Sequence, residues 1–135
     1  KKNSYSADLS QIYKVTREIR KYINNFKVIV MKSTVPVATG DEVEKIISQK
    51  KLKKLFSVVS NPEFLREGEA IRDFMFPDRV VIGTNNTKAN NIIKSLYEPI
   101  IKKGTKYLNT SYQKEENFAK MKYCSDNFTV KKMTA

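Results

Sequence analysis

The sequence predicts an α/β fold: part of a doubly wound, mostly parallel sheet with flanking helices. Three observations predict it. Segments with helix-period apolar spacing alternate with short apolar runs rich in β-branched residues, the pattern of strands joined by crossover helices. The strand candidates, such as Lys27 to Lys32 and Arg79 to Gly83, are nearly continuous in apolar residues, as strands buried on both faces are. Two of the runs lead directly into clusters of hydroxyl, proline and carboxylate residues, and the carboxyl ends of strands are where open α/β sheets bind ligands.

Taken in order, Asp8 or Ser10 is placed to cap a first helix through about Asn24, with Leu9, Ile12, Tyr13, Thr16, Ile19, Tyr22 and Ile23 on one face. Lys27 to Lys32 follows as a buried strand, and Pro36 forces a turn because it cannot continue a central strand. Thr39 is the expected cap of the next helix, with Asp41 and Glu42 in its first turn and Val43, Ile46 and Ile47 toward the core. Leu55 to Ser60 is a second strand, Arg66 to Phe74 a short helix, and Arg79 to Gly83 a third strand. Thr87 begins a helix through about Ile101, with Ile92, Ile93, Leu96 and Ile100 inward and Pro99 expected to kink or end it. Thr105 to Leu108 is a short strand, and Lys114 onward reads as a last helix.

The 135 residues suffice for one domain with a core of its own. There is no repeat, no apolar run of membrane-spanning length and no apolar stretch behind Lys1-Lys2-Asn3-Ser4-Tyr5, so a cytoplasmic location is expected. The single cysteine, Cys124, excludes an internal disulfide framework, and the absence of histidine removes the commonest general base and metal ligand; no metal is expected. The net charge of +12 is carried mainly by lysine, since only five of the 26 basic residues are arginine. A composition bias accounts for it better than nucleic-acid binding does: the lysines are scattered, apart from Lys50-Lys51-Leu52-Lys53-Lys54 at a helix end, and no nucleic-acid signature accompanies them.

Four segments could carry chemistry. Ser33 and Thr34 either terminate a strand with a cap-like hydroxyl or project into the crevice at its carboxyl end. In Ser60-Asn61-Pro62-Glu63-Phe64-Leu65-Arg66-Glu67-Gly68, a helical reading puts Glu63 and Glu67 on one face. Mutual repulsion there raises a carboxylate toward the range of a useful base. Alternatively both are solvated or paired to Arg66 and Arg72. Pro77-Asp78-Arg79-Val80-Val81-Ile82-Gly83 is a turn feeding a strand, with at most a weak local Asp78–Arg79 pair. Lys122 is either a solvated lysine or a cation for developing oxyanion charge. Cys124 reads as a small-residue helix position rather than a nucleophile.

Together with Lys32-Ser33-Thr34-Val35-Pro36-Val37, these segments resemble the nucleotide-sugar (UDP-glucose/GDP-mannose) dehydrogenase family, from about Ala7 to Ile101 and most strongly over 27–37 and 60–83. The Pro77-Asp78-Arg79 form looks more like the UDP-glucose branch. The resemblance implies a partial Rossmann-like NAD-binding domain over 1–113, lacking its first strands, and the start of a central connecting helix over 114–135 with a divergent end.

It implies NAD as cofactor and UDP-glucose as partner, with oxidation of a C6 alcohol to a carboxylate by two NAD molecules through a cysteine-bound thiohemiacetal and thioester. Related GDP-mannose or UDP-N-acetylmannosamine types are the alternative. Thr34, Glu63 and Lys122 become the expected catalytic residues, and Ser33, Thr34 and Glu67 the cofactor contacts. Glu63, Phe64, Leu65, Arg66, Glu67, Lys122 and Asp126 become the substrate contacts. Two departures stand out. Ala38 occupies a position where the family usually has glycine, and Asp126 one where it has asparagine. Asn127 lies roughly 100° away on a helix. No G-x-G-x-x-G occurs and the family's catalytic cysteine lies in a segment not among these residues. The chain is therefore expected to be an interior fragment, inactive alone, that forms a homo-oligomer or joins a complementing remainder of the enzyme. A membrane or nucleic-acid partner is not expected.

Overall fold

A computed structural model of the chain describes residues 8–36, 38–48 and 52–110. In order, its elements are α1 (Ser10–Lys21), β1 (Lys27–Met31), α2 (Thr39–Ile47), β2 (Phe56–Ser60), α3 (Ala70–Met75), β3 (Arg79–Gly83), α4 (Thr87–Ile101) and β4 (Lys106–Thr110). The four strands form one sheet in the order β1-β2-β3-β4. β1 and β2 are parallel and joined through α2; β3 and β4 are parallel and joined through α4. Parallel neighbours need such crossovers because a tight turn can only reverse the chain. Between the two units β2 meets β3 antiparallel at one register pair, Ser60 with Gly83. The sheet is thus mostly parallel and covered by helices, as the alternation in the sequence predicts.

Side-chain alternation along the strands supplies two cores. On one face Ile29, Met31, Phe56 and Val58 pack with Ile12, Ile19 and Ile23, together with Val43 and Ile47 of α2. On the other, Val28, Val30, Val59, Val80 and Ile82 pack with Ala89, Ile93, Tyr97 and Ile100 of α4. Every residue of β2 is buried, which is why its run needs no polar alternation.

The helix ends depart from the sequence expectation for local reasons. α1 stops at Lys21, not near Asn24: the Tyr22 N–H donates to the Ile19 carbonyl, the chain turns, and Tyr22 is left 74 % exposed while Ile23 re-enters the core. Asp8 does accept from the Ser10 N–H at 2.9 Å, although the cap residue itself is Leu9. Thr39 is the first helical residue of α2, not its cap; its hydroxyl donates to the Pro36 carbonyl at 2.6 Å, and Ala38 precedes it with φ 71°. The Ile46 carbonyl accepts from the Arg20 guanidinium at 3.2 Å, tying α2 to α1.

α3 begins at Ala70, not Arg66, because Gly68 has φ 81°, outside the helical region. α4 begins after Asn86, whose side chain accepts from the Ala89 N–H at 2.9 Å, and it runs two residues past Pro99. Ala89 and Ile93 are buried against the sheet with Tyr97 and Ile100 half-buried beside them, so of the four expected inward residues Ile93 and Ile100 face the core, while Leu96 is 69 % and Ile92 38 % exposed. The lysine tract follows α2, with Lys50 and Lys51 outside the described residues.

Candidate functional site at the ends of β1 and β2

Parallel pairing brings the two richest segments to the same end of the sheet. Met31 and Ser60, the last residues of β1 and β2, are register partners, and the Asn61 N–H continues the ladder to the Met31 carbonyl at 2.9 Å. Lys32 and Asn61 are therefore the first residues beyond adjacent strand ends. Past them the chain presents Ser33 and Thr34 on one side and Glu63 on the other, all exposed. Buried Val35 and Pro62 hold the two loops down. Phe64 is half-buried, and Leu65 and Glu67 are exposed.

Arg66 makes a forked contact with Asp73, Nη2 to Oδ1 at 2.6 Å and Nε to Oδ2 at 3.0 Å, and its main-chain N–H reaches Oδ2 at 2.8 Å. The Arg66 side-chain bonds, followed by its main-chain bond, pull the Asp73 carboxyl down to about 2. Arg66 thereby fastens the end of the Glu63 loop to α3, with its guanidinium largely exposed.

The helical arrangement that would crowd Glu63 against Glu67 is not formed: residues 61–66 are non-helical and α3 starts only at Ala70. Nor do Arg66 and Arg72 neutralise them. Arg66 is engaged by Asp73, Arg72 lies 3.8 Å from Glu69, and among the described residues no ion pair involves Glu63 or Glu67. Both carboxylates are consequently open to a ligand. No Asp78–Arg79 ion pair occurs among the described residues; the Asp78 and Pro77 carbonyls instead accept from Lys106 and Thr105, joining this turn to β4. Lys122, Cys124 and Asp126 lie outside the described residues, as does the whole expected segment 114–135.

The structure adds three residues that sequence reasoning did not single out. Asn61, 3 % exposed, donates from Nδ2 to the Val81 carbonyl at 3.1 Å. Its Oδ1 accepts from the Tyr97 hydroxyl and from Lys32 Nζ at 3.1 Å, and Lys32 also reaches the Tyr97 oxygen at 3.3 Å. Lys32 and Asn61 stood inside the quoted motifs, where a polar residue flanking each chemical group was the available signal. Tyr97, on α4 and 36 residues from Asn61, carried none. Among the described residues no carboxylate pairs with Lys32, no group of acidic and cysteine side chains could hold a metal, and no helix is long and apolar enough to cross a membrane.

Two loops at neighbouring strand ends, bearing hydroxyls, open carboxylates and one uncompensated cation, suit a polar, hydroxyl-bearing ligand, with Lys32 the one group there that attracts an anionic part of it. Known proteins specify the class. Residues 1–101 match the model of the UDP-glucose/GDP-mannose dehydrogenase family, NAD binding domain. The chain belongs to that family. It is similar to the UDP-glucose 6-dehydrogenase of Rhizobium meliloti, 44 % identical over 133 residues, which cover 95 % of this chain and 29 % of that protein.

Among solved structures it is similar to a UDP-glucose dehydrogenase from Pyrobaculum islandicum, with a TM-score of 0.76 and 33 % identity over 88 % of this chain and 27 % of that one. A ternary complex of GDP-mannose dehydrogenase from Pseudomonas aeruginosa gives 0.74 and 28 %, covering 92 % and 29 %. The chain thus spans under a third of the length of these relatives.

The strand-end residues fit one end of the cofactor of this dehydrogenase family. Exposed Ser33 and Thr34 hydroxyls and the unpaired Glu67 carboxylate offer acceptors and donors for a carboxamide-bearing ring. No glycine-rich loop for the pyrophosphate stands among these residues, whose four glycines are Gly40, Gly68, Gly83 and Gly104.

Proposed function

We propose that this chain supplies one wall of a UDP-glucose 6-dehydrogenase site, the nicotinamide-facing and sugar-facing wall at the ends of β1 and β2. The observation that carries the reading is that the Ser33–Thr34 and Glu63–Glu67 loops leave adjacent strand ends, held in register by the Met31–Ser60 pair. The relative in Rhizobium meliloti, at 44 % identity, is a UDP-glucose 6-dehydrogenase.

NAD, when bound, supplies the hydride acceptor. Ser33, Thr34 and Glu67 hold its nicotinamide end. Glu63 takes up and returns protons at a carboxylate oxygen, a role open to it because no cation of the described residues occupies it. Thr34 orients water at the reacting carbon, and Phe64 and Leu65 hold the sugar nucleotide mainly through their main chain. Arg66, through Asp73, keeps that loop in place. Lys122, which lies outside the described residues, is the cation assigned to offset developing negative charge on the substrate oxygen. The 135 residues alone do not turn the substrate over, because the pyrophosphate loop and the family's catalytic cysteine are not among them; the full site needs the remaining segments of a family enzyme, in one oligomer or as a complementing chain.

Isothermal titration of the chain with UDP-glucose, GDP-mannose and NAD tests this. Binding of UDP-glucose in preference to GDP-mannose, lost in Glu63→Ala and Lys122→Ala variants that melt as the parent does, is expected. Absence of binding to either sugar nucleotide and to NAD refutes the reading, and turnover by the 135-residue chain refutes the claim of incompleteness.

A further inference from the structure

We propose that Lys32, Asn61 and Tyr97 are positioning residues that set the Thr34 hydroxyl against the Glu63 carboxylate, with Tyr97 acting from α4. The inference rests on the proposed function only where it concerns ligand affinity. The two chemical groups stand two residues beyond Lys32 and Asn61, on loops with no strand pairing of their own. Beyond the last main-chain bond between the two segments, from Asn61 N–H to the Met31 carbonyl, the side-chain bond from Lys32 Nζ to Asn61 Oδ1 directly joins one loop base to the other.

The orientation of the Asn61 amide follows from its neighbours. The Val81 carbonyl can only accept and the Lys32 ammonium can only donate, so Nδ2 must face Val81 and Oδ1 must face Lys32. Flipping the amide would place two acceptors together and two donors together. The amide thus bridges the first parallel unit to the second at the place where β2 and β3 share only one register pair.

Tyr97 completes the arrangement. Its ring packs in the core under the sheet and its hydroxyl donates to the same Oδ1. Lys32, half-buried and paired only with neutral oxygens, also reaches that hydroxyl. A half-buried ammonium facing neutral acceptors gains less than an ion pair with a carboxylate would give, yet it leaves positive charge at the strand ends for an anionic ligand. The cluster therefore does two things that a hydrophobic contact could not: it fixes the relative height of the two loops, and it keeps an uncompensated cation beside them.

The test uses Tyr97→Phe, which keeps the packed ring and removes one hydroxyl, and Lys32→Met, which keeps the stem and removes the charge. Both are compared with the parent chain by amide NMR and by titration with UDP-glucose and NAD. Shift changes at Ser33, Thr34 and Glu63 in Tyr97→Phe, with α1 unmoved, are expected, along with faster exchange of the Asn61 side-chain amide. Changes confined to α4, with Ser33, Thr34 and Glu63 unmoved, overturn the proposal.

Affinity for UDP-glucose is expected to fall about 3- to 10-fold in Tyr97→Phe, the reach of one hydrogen bond's net contribution. It should not fall in Ile47→Ala, a variant that lowers stability from the core on the other face of the sheet. Equal losses in both variants also overturn the proposal. A parent chain that binds neither ligand refutes the proposed function, while the shift pattern still decides the present inference.

Discussion

Ala38 is expected to be more stable as glycine. It is the one described residue other than glycine with positive φ, at φ 71° and ψ 1°, in the turn that leads from Thr34 into α2. An L-residue in the left-handed region carries a steric cost of about 1–2 kcal/mol from the approach of Cβ to the following carbonyl. Glycine avoids it but gives the unfolded chain about 0.5–1 kcal/mol more conformational entropy to lose. The difference leaves Ala38→Gly more stable by about 0.5–1 kcal/mol, a rise of roughly 2–5 °C in Tm for a domain of this size.

Gly68 supplies the opposite sign from the same physics: it has φ 81°, and a Cβ placed there meets no atom within 4 Å. Gly68→Ala should therefore lose a similar amount through the backbone alone. Far-UV circular dichroism melts and urea titrations of the two variants and the parent measure both. A Tm at or below the parent's for Ala38→Gly, or above it for Gly68→Ala, would refute the reasoning.

Four further outcomes are expected. Ile82→Ala, at a residue with 0 % exposure, should cost about 2–5 kcal/mol in urea unfolding at unchanged m; a loss below about 1 kcal/mol would contradict the packing of β3 against α4. Asn61→Leu leaves the Val81 carbonyl, the Tyr97 hydroxyl and the Lys32 ammonium without their partner and should cost about 2–4 kcal/mol, because the last two can recover some water; a near-neutral result would sink the network.

The Asp73 carboxyl is held at about 2 by Arg66, against 3.8 when unpaired, so the unfolded chain protonates first on acidification. The contribution is present above about pH 4 and is lost as pH falls toward 2; the difference between parent and Asp73→Asn should shrink over that window, and a constant difference would contradict it. Burial, with Tyr97 as a lesser cause, pushes the Tyr107 phenol up to about 12 from 10.0. The unfolded chain then ionises first, stability falls as pH rises through that interval, and ultraviolet titration should show a late-ionising component that Tyr107→Phe removes.

Much of the fold was legible along the chain. The strands were recognisable because strands buried on both faces need no polar interruption, and Phe56 to Ser60 is buried throughout. α1 and α2 showed their inward faces through Ile12, Thr16, Val43 and Ile47. Of the candidate site, the Ser33–Thr34 and Glu63–Glu67 segments were marked by hydroxyl, proline and carboxylate residues immediately after strands. What failed was specific. Glu63 and Glu67 have helical spacing, but Gly68 takes a left-handed conformation and α3 starts beyond it. Ile92 and Leu96 fit an apolar period, but on α4 only Ile93 and Ile100 of the expected set meet the sheet, joined there by Ala89 and Tyr97.

The sequence by itself determined the alternation of helix and strand, the apolar faces and the chemical types gathered after β1 and β2, because each depends on spacings within a few residues. Tertiary structure decided how the two parallel units join, with a single antiparallel pair from Ser60 to Gly83, and where the polar groups of Lys32, Asn61 and Tyr97 find one another. No local spacing encodes a hydrogen bond between residues 36 apart. It forms because burying Ile93 and Ile100 against the sheet carries Tyr97 to the strand ends, and because the buried Asn61 amide must satisfy both its donor and its acceptor there.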